Sequence, residues 1–165
     1  MDFKDLIFRY TLMLFFGIFL NIFYLVFSPL TIYSVYILLS IFYKTTIIEN
    51  IIIANNTEIE IINACVAGSA YFLLFILNFS TAKIKFKKRI FILLADCGIF
   101  LLINILRIFF LSVLLINNSI FFNTAHFILW YAVSILLVIL IWIFTVKFAE
   151  IKEIPFISDF KKIKI

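Results

Sequence analysis

Charged residues, histidine, cysteine and glycine are all scarce in this sequence, and each scarcity excludes a class of protein. Only 14% of the 165 residues are charged, whereas soluble domains carry about 25%. One histidine and two separated cysteines, Cys65 and Cys97, cannot supply the three or four ligands of a zinc site. With three glycines, the chain has no Gly-rich phosphate-binding loop, and it has neither GxSxG nor HExxH. We therefore predict no metal ion and no cofactor.

Apolar residues make up 66% of the chain, and the mean hydropathy is +1.24. These values indicate an integral membrane protein. A transmembrane helix needs about 20 apolar residues, so the length allows four or five in a single domain over residues 1–165. The predicted fold is an all-α polytopic membrane bundle of four to five transmembrane helices. The net charge of +5 indicates topology rather than nucleic acid binding, because the basic residues flank apolar runs.

Polar and breaking residues divide the chain into predicted segments. Ser28-Pro29 is expected to end the first helix, since proline removes a backbone donor. No small-x-small site follows the helix before Ser28-Pro29, so we do not predict a cleaved signal peptide. TEIEI alternates with period two, which predicts a short extended piece. The segments are a helix at 6–27, a short apolar segment at 29–43, a short outer loop at 44–60 before the Cys65 helix, and helices at 61–79, 90–116 and about 126–148.

The basic residues predict how the later helices cross the membrane. Residues 81–89 contain five basic side chains and no acid, and short loops this basic stay in the cytoplasm. The tail after residue 146 is also basic. The protein is therefore predicted to be a multi-pass cell-membrane protein. Its amino terminus lies outside if both early segments cross the membrane, and inside if only one does.

Three chemically active side chains fall near one depth in this topology. Cys65 lies near the outer end of its helix, and Arg107 lies nine residues before Ile116, about 13 Å from the outer end of its own. His126 opens the last helix at the same face. Each has a non-catalytic interpretation: a packing thiol, an interfacial histidine, or an arginine that snorkels to relieve an insertion cost of at least about 2.5 kcal/mol.

Together these groups could form a cysteine-dependent active site toward the extracytoplasmic face. A nearby guanidinium or imidazolium favours the thiolate, which is the nucleophilic form. His126 would pass a proton to the leaving amine, and Arg107 would hold the oxyanion of a tetrahedral intermediate.

The motifs ACVAGSAY around Cys65, NILRI around Arg107 and the helix-opening His126 resemble those of the exosortase/archaeosortase family of membrane-embedded transpeptidases. The resemblance covers residues 63–142, and the three motifs keep the family's order. The small archaeosortases, such as the pacearchaeosortase group, are the closest in size, since the chain has fewer helices than full-length exosortases. The resemblance implies a catalytic core at about 61–148.

The resemblance also implies a substrate and an activity. Such enzymes cleave surface proteins near a carboxy-terminal signal made of a short motif, a transmembrane helix and a basic cluster. They pass the new end to a membrane lipid or another acceptor. No nucleic acid partner is expected.

Three further residues are candidates for substrate binding. Asn104 lies three residues before Arg107, where it would orient the guanidinium, contact the substrate backbone or make an ordinary interhelical hydrogen bond. Gly68 and Ser69 are predicted to lie one turn after Cys65 on the same side of its helix. With Ala64 they form a small-residue surface for another helix, either the Arg107 helix or the substrate's own.

Two other functions fit parts of the pattern. A small transporter or channel subunit would line a polar path with Arg107 and Asp96, an intramembrane acid about 16 Å nearer the cytoplasm. A non-catalytic membrane scaffold would need neither cysteine. Cys97 is expected to pack, and Asp96 to contact a lysine or a neighbouring helix. Glu58 and Glu60 in the outer loop are either solvated or guide an amine-bearing acceptor.

Overall fold

The computed structural model describes residues 3–151, 153 and 155. It is mostly helical, with three segments long and apolar enough to cross a membrane: Asn21–Ser40, Asn63–Ser80 and Phe86–Ile116. These suggest a multi-pass membrane protein, as predicted. The elements in order are α1 Phe3–Ile18, α2 Asn21–Ser40, β1 Thr45–Ile48, β2 Ile51–Ala54, β3 Thr57–Glu60, α3 Asn63–Val66, α4 Gly68–Ser80, α5 Phe86–Ile116, α6 Phe122–Ile128, a π-helical turn Leu129–Val133, and α7 Ser134–Phe148.

The first helix break lies at residues 19–20, so the prediction of a break at Ser28-Pro29 is wrong. Pro29 lies inside α2. A proline is tolerated there because neighbouring helices and local backbone adjustments compensate for the missing donor in apolar spans. At the observed junction the backbone forms 3₁₀-type hydrogen bonds, in which an N–H donates to the carbonyl three residues earlier. The Ile22 N–H donates to the Phe19 carbonyl at 2.9 Å, and the Phe23 N–H donates to the Leu20 carbonyl at 3.1 Å.

Helices α1 and α2 form one continuous path antiparallel to α4. Arg9 near the start of α1 donates to the Phe79 carbonyl at the end of α4, at 3.0 Å. Farther along, Phe27 in α2 stacks on Tyr71 with ring centroids 3.6 Å apart. The amino-terminal helix therefore begins at the end of the bundle that holds residues 81–89, which we call the basic end. Residues 45–60 lie at the opposite end, the sheet end.

Residues 45–60 form a three-stranded antiparallel sheet in the order β1-β2-β3, so the all-α prediction is confirmed for the helical part of the fold and wrong for this segment. The alternation in TEIEI did predict β3, where Ile59 is buried between exposed Glu58 and Glu60. The turn between β2 and β3 uses Asn55 and Asn56, both with positive φ, as two-residue hairpins require. Strands β1 and β2 also alternate in burial, but their isoleucine-rich sequences place apolar residues on both faces, so the sequence shows no alternation.

The inner face of the sheet covers one of two apolar clusters. Ile52, Ala54 and Ile59 pack with Val35, Leu39, Val66 and Ile108 from the helices and with Ile61 from the β3–α3 connection. The other cluster fills the bundle centre with aromatic side chains, including Phe23, Tyr71, Phe75, Phe79 and Phe100. The first cluster fixes α3 between the sheet, α2 and α5, and so determines where Cys65 lies.

Basic side chains close the carboxyl end of α4. Arg89, only 2% exposed, donates to the Thr81 carbonyl at 2.8 Å and to the Asn78 carbonyl. Arg9 supplies a third donor to this end. The last carbonyls of a helix have no partners within it, and cations at this end also interact favourably with the helix dipole. Arg89 is therefore a structural residue, not merely one charge of a basic loop.

The last two predicted helices are close to those observed. Helix α5 ends at Ile116 as predicted and begins at Phe86, four residues earlier than expected. The last helical segment ends at Phe148 as predicted, but it begins at Phe122 and contains the π-helical turn. His126 therefore lies one turn inside a helix and does not open it. Most of the basic tail lies outside the described residues.

Candidate functional site

Cys65 lies in α3, a single helical turn that is separated from the longer helix α4 by a break in the backbone. Helix α3 ends at Val66, and the following residue, Ala67, has left-handed backbone angles of φ 59° and ψ 45°. An alanine in this conformation costs about 1–2 kcal/mol, whereas glycine would adopt it freely. The next residue, Gly68, faces the Tyr24 ring, where an added Cβ would lie 2.7 Å from ring carbons. The predicted helix over 61–79 is thus broken two residues after Cys65.

The break leaves carbonyl groups that helix α5 satisfies. Asn104 donates from its amide nitrogen to the carbonyls of Cys65 at 3.1 Å and Val66 at 3.3 Å. Arg107 donates to the Cys65 carbonyl as well, at 3.1 Å. Two side chains one helical turn apart on α5 therefore hold the peptide group of the candidate nucleophile.

Arg107 connects the Cys65 turn with the last helical segment. Its side chain donates to the Leu129 carbonyl at 3.3 Å and to the Ser134 hydroxyl. The residue is 9% exposed, and no described carboxylate forms an ion pair with it. A guanidinium has five N–H groups, so these three bonds leave two, including Nε–H, without a described protein acceptor. Of the two, Nε is buried, so the second N–H of Nη2 is the one that a substrate oxygen could use.

His126 is positioned by aromatic stacking. Phe122 and Trp130, one turn before and one turn after it on the same helical face, lie at centroid distances of 5.6 and 6.1 Å. Their planes are within 5° and 16° of the imidazole plane. None of the described hydrogen bonds uses the imidazole nitrogens, so the ring has fixed stacking partners and available nitrogens.

Cys65, Arg107 and His126 border one cavity of about 150 Å³. Its wall is mainly apolar and comes from the sheet end, α5 and α6, with Glu60 and Ser112 as further polar residues. A thiol, a guanidinium and an imidazole around a water-poor cavity are a suitable set for acyl transfer. No group of three or more potential metal ligands occurs among the described residues.

The three predicted substrate-binding residues have different surroundings. Asn104 is 2% exposed and binds the Cys65 turn, which is an interhelical hydrogen bond. Gly68 is buried against Tyr24, so its close neighbour is α2. Ser69 is exposed and borders a second cavity with Trp130 and Ser134. None of the three lines the cavity at Cys65.

Asp96 and Cys97 lie away from this site. The Asp96 carboxylate accepts a hydrogen bond from Thr145 on α7 and borders a separate cavity of about 570 Å³ with Lys88. The expected contact with a neighbouring helix is thus present. Cys97 packs against the central aromatic cluster, whereas Cys65 packs against the sheet-end cluster. Both thiols are free.

Two elements of the site were not predicted from the sequence. Ser134 binds Arg107, and its only sequence signal is that it is a rare polar residue within the apolar run of the last helix. The stacking of His126 follows from the spacing of Phe122, His126 and Trp130 at intervals of four, which is visible in the sequence once this segment is taken as helical.

In comparisons with known proteins, no family model, no curated protein and no solved structure matches this chain.

Proposed function

We propose that this chain is a membrane-embedded cysteine peptidase or transpeptidase that processes the carboxy-terminal sorting signals of surface proteins. The observation that carries the proposal is the single cavity bordered by Cys65, Arg107 and His126. The resemblance of the motifs around these residues to exosortases and archaeosortases supplies the substrate class.

The proposed first step forms a thioester on Cys65. His126 accepts the thiol proton, and the sulfur attacks the carbonyl carbon of the scissile peptide bond. The remaining Nη2 N–H group of Arg107 donates to the resulting oxyanion. The C–N bond then breaks, and the leaving amine takes the proton from the imidazolium.

The second step transfers the acyl group. An amine, a lipid hydroxyl or water attacks the thioester carbon, His126 accepts the attacking group's proton, and the Cys65 thiol is regenerated. Transfer to a lipid or amine is transpeptidation in the broad sense, and transfer to water is hydrolysis. No oxidant or reductant is needed.

The orientation of the proposal follows from charge. The cavity lies toward the sheet end, and the basic residues 81–89 lie at the other end of α4 and α5. With the basic end in the cytoplasm, Cys65 faces the extracytoplasmic side, where a surface protein's signal emerges from its translocation. On this orientation the amino terminus is cytoplasmic.

Processing of a co-expressed surface protein tests the function. The substrate is one from the same genome that ends in a short motif, an apolar helix and a basic cluster. Cys65→Ala and Cys65→Ser should remain in the membrane and leave the substrate uncleaved. Cys97→Ala is the matched control and should process normally. Normal cleavage in Cys65→Ala would refute the proposal.

The rival functions predict other outcomes. A transporter requires Arg107→Ala to alter flux while Cys65→Ala does not, although Arg107 and Asp96 border separate cavities among the described residues. A scaffold requires that the Arg107 contacts to the Cys65 turn serve packing alone, so that replacing the thiol changes nothing.

A further inference from the structure

The outer edge of β3 carries backbone groups that no described strand pairs. Strand β3 pairs with β2 on one side only. Thr57 pairs with Ala54 across a two-residue turn, which makes it a hydrogen-bonded pair, and such pairs alternate along an antiparallel ladder. Thr57 and Ile59 therefore bond to β2, as does Ile61, whose N–H reaches Asn50 at 2.9 Å. The N–H and C=O groups of Glu58 and Glu60 point to the outer edge.

The cavity at Cys65 reaches this edge at Glu60, whereas Glu58 does not border it. Four consecutive residues, 59 to 62, border the cavity. Successive side chains of an extended chain point to opposite faces, so a cavity on either face would be bordered by alternate residues only. A cavity bordered by four in succession lies beside the strand. It continues from there to Cys65.

The chemistry of the edge selects its occupant. Glu60 accepts a hydrogen bond from Asn50 at 3.3 Å, so its carboxylate is held over the β1–β2 turn and not across the edge. The rest of the cavity wall is mainly apolar, with Leu111, Leu115 and Trp130. Unpaired N–H and C=O groups beside apolar side chains are costly, and donors and acceptors at strand spacing are matched by another extended polypeptide.

We propose that the β3 edge binds an extended, uncharged peptide segment as an added strand and directs its backbone to Cys65. This is β-strand addition, in which main-chain hydrogen bonds give affinity and alternate side chains fill apolar pockets. The inference rests on the proposed function for the identity of the segment, namely the motif of the sorting signal. It names the mode of recognition, which the catalytic proposal does not.

A scan of the peptide backbone tests the pairing. The full chain with Cys65→Ala, purified in detergent, is screened with a library of uncharged peptides of about eight residues, and the tightest binder is resynthesised with one N-methyl group at each position in turn. Strand addition predicts about tenfold weaker binding at every second position and little change at those between. A flat profile, or the absence of any binder, would overturn the proposal.

A proline substitution tests the protein side. Glu60→Pro removes an outward N–H that borders the cavity, is tolerated on an edge strand, and should weaken the selected peptide about tenfold. Glu60→Ala removes the carboxylate but keeps the N–H, and should bind like the wild type. Thr45→Pro removes an outward N–H from the other edge of the sheet and should also leave binding unchanged. Unaltered binding in folded Glu60→Pro would contradict strand addition, and the N-methyl scan decides the matter if that variant does not fold.

The two proposals can fail separately. Peptide binding is measured with Cys65→Ala and requires no chemistry. Alternating N-methyl sensitivity together with normal processing by Cys65→Ala would keep the edge and refute the peptidase. Loss of processing in Cys65→Ala together with a flat scan would keep the peptidase and refute strand addition.

Discussion

Asn104→Ala and Arg107→Ala should differ in their effect on stability, because Arg107 donates charged hydrogen bonds and Asn104 donates neutral ones. Asn104 is the only described donor to the Val66 carbonyl. Its removal leaves that carbonyl unpaired, which costs about 1–3 kcal/mol, and also removes one of two bonds to the Cys65 carbonyl, worth about 1 kcal/mol. The substitution also removes the Asn104 Oδ1 atom, which is buried without a partner, and this returns about 1–3 kcal/mol. We therefore expect Asn104→Ala to change the free energy of unfolding by between a gain of about 1 and a loss of about 3 kcal/mol.

Arg107→Ala leaves none of its carbonyl acceptors unpaired. The Cys65 carbonyl keeps Asn104 at 3.1 Å, and the Leu129 carbonyl keeps the Ser134 hydroxyl at 3.2 Å. A hydrogen bond from a charged donor is worth about 1.5–3 kcal/mol, so the three lost bonds are worth about 4.5–9 kcal/mol in total. Removing a guanidinium from the apolar interior returns about 2.5–3.5 kcal/mol. Arg107→Ala should therefore lower the free energy of unfolding by about 1–6.5 kcal/mol, the larger loss of the two variants.

The assay is unfolding by SDS titration in mixed micelles, followed by circular dichroism. Leu102→Ala, at a position 64% exposed on the same helix, gives the baseline for truncating a side chain that faces away from the bundle. A loss of stability in Asn104→Ala larger than that in Arg107→Ala would refute the reasoning, because the charged bonds of Arg107 would then contribute less than the neutral bonds of Asn104.

Three further predictions use the same unfolding assay or the processing assay. Gly68→Ala should lower the free energy of unfolding by about 1–3 kcal/mol, because the added methyl group overpacks its site. Gly98→Ala, where an added Cβ has nothing within 4 Å, should raise the free energy of unfolding by up to about 1 kcal/mol through helix propensity. Equal effects of the two substitutions would contradict the packing at Gly68. Arg89→Ala should lower the unfolding free energy by about 2 kcal/mol or more by removing two bonds at the end of α4, while exposed Lys85→Ala stays within about 0.5 kcal/mol; a neutral Arg89→Ala would remove its capping role. Asp96→Asn keeps an oxygen acceptor for its threonine partner and should process substrate at the wild-type rate, since it borders a different cavity; loss of processing would connect the two cavities.

The sequence predicted those parts of the fold that depend on composition and charge. The ends of α5 and α7 follow from where apolar runs meet Asn117 or polar residues near 149, and TEIEI indicated β3 through its alternation. The kink at residues 19–20 and the helical Pro29 were missed because tertiary packing in an apolar bundle outweighs the local preference of proline. The sheet was missed because isoleucine runs in β1 and β2 do not alternate.

The site was predicted less completely than the helices. Placing Cys65, Arg107 and His126 at similar depth required only helix lengths and topology, and all three border one cavity. The sequence does not mark the break at Ala67, because this left-handed position holds alanine and not glycine. The neighbouring glycine, Gly68, is needed for close packing. Without that break, Asn104 has no free carbonyls to bind, and Gly68 and Ser69 remain on the face of Cys65.

The reactivity of Cys65 toward an impermeant maleimide, applied to intact cells at neutral pH, tests the central claim most directly. The chain carries Cys97→Ala so that one thiol remains. The account predicts labelling from outside, at a rate that falls about tenfold or more in Arg107→Ala and His126→Ala, with the fold of each variant checked by the unfolding assay. Absent labelling, or a rate that neither substitution changes, would contradict a shared site for the thiol, the guanidinium and the imidazole.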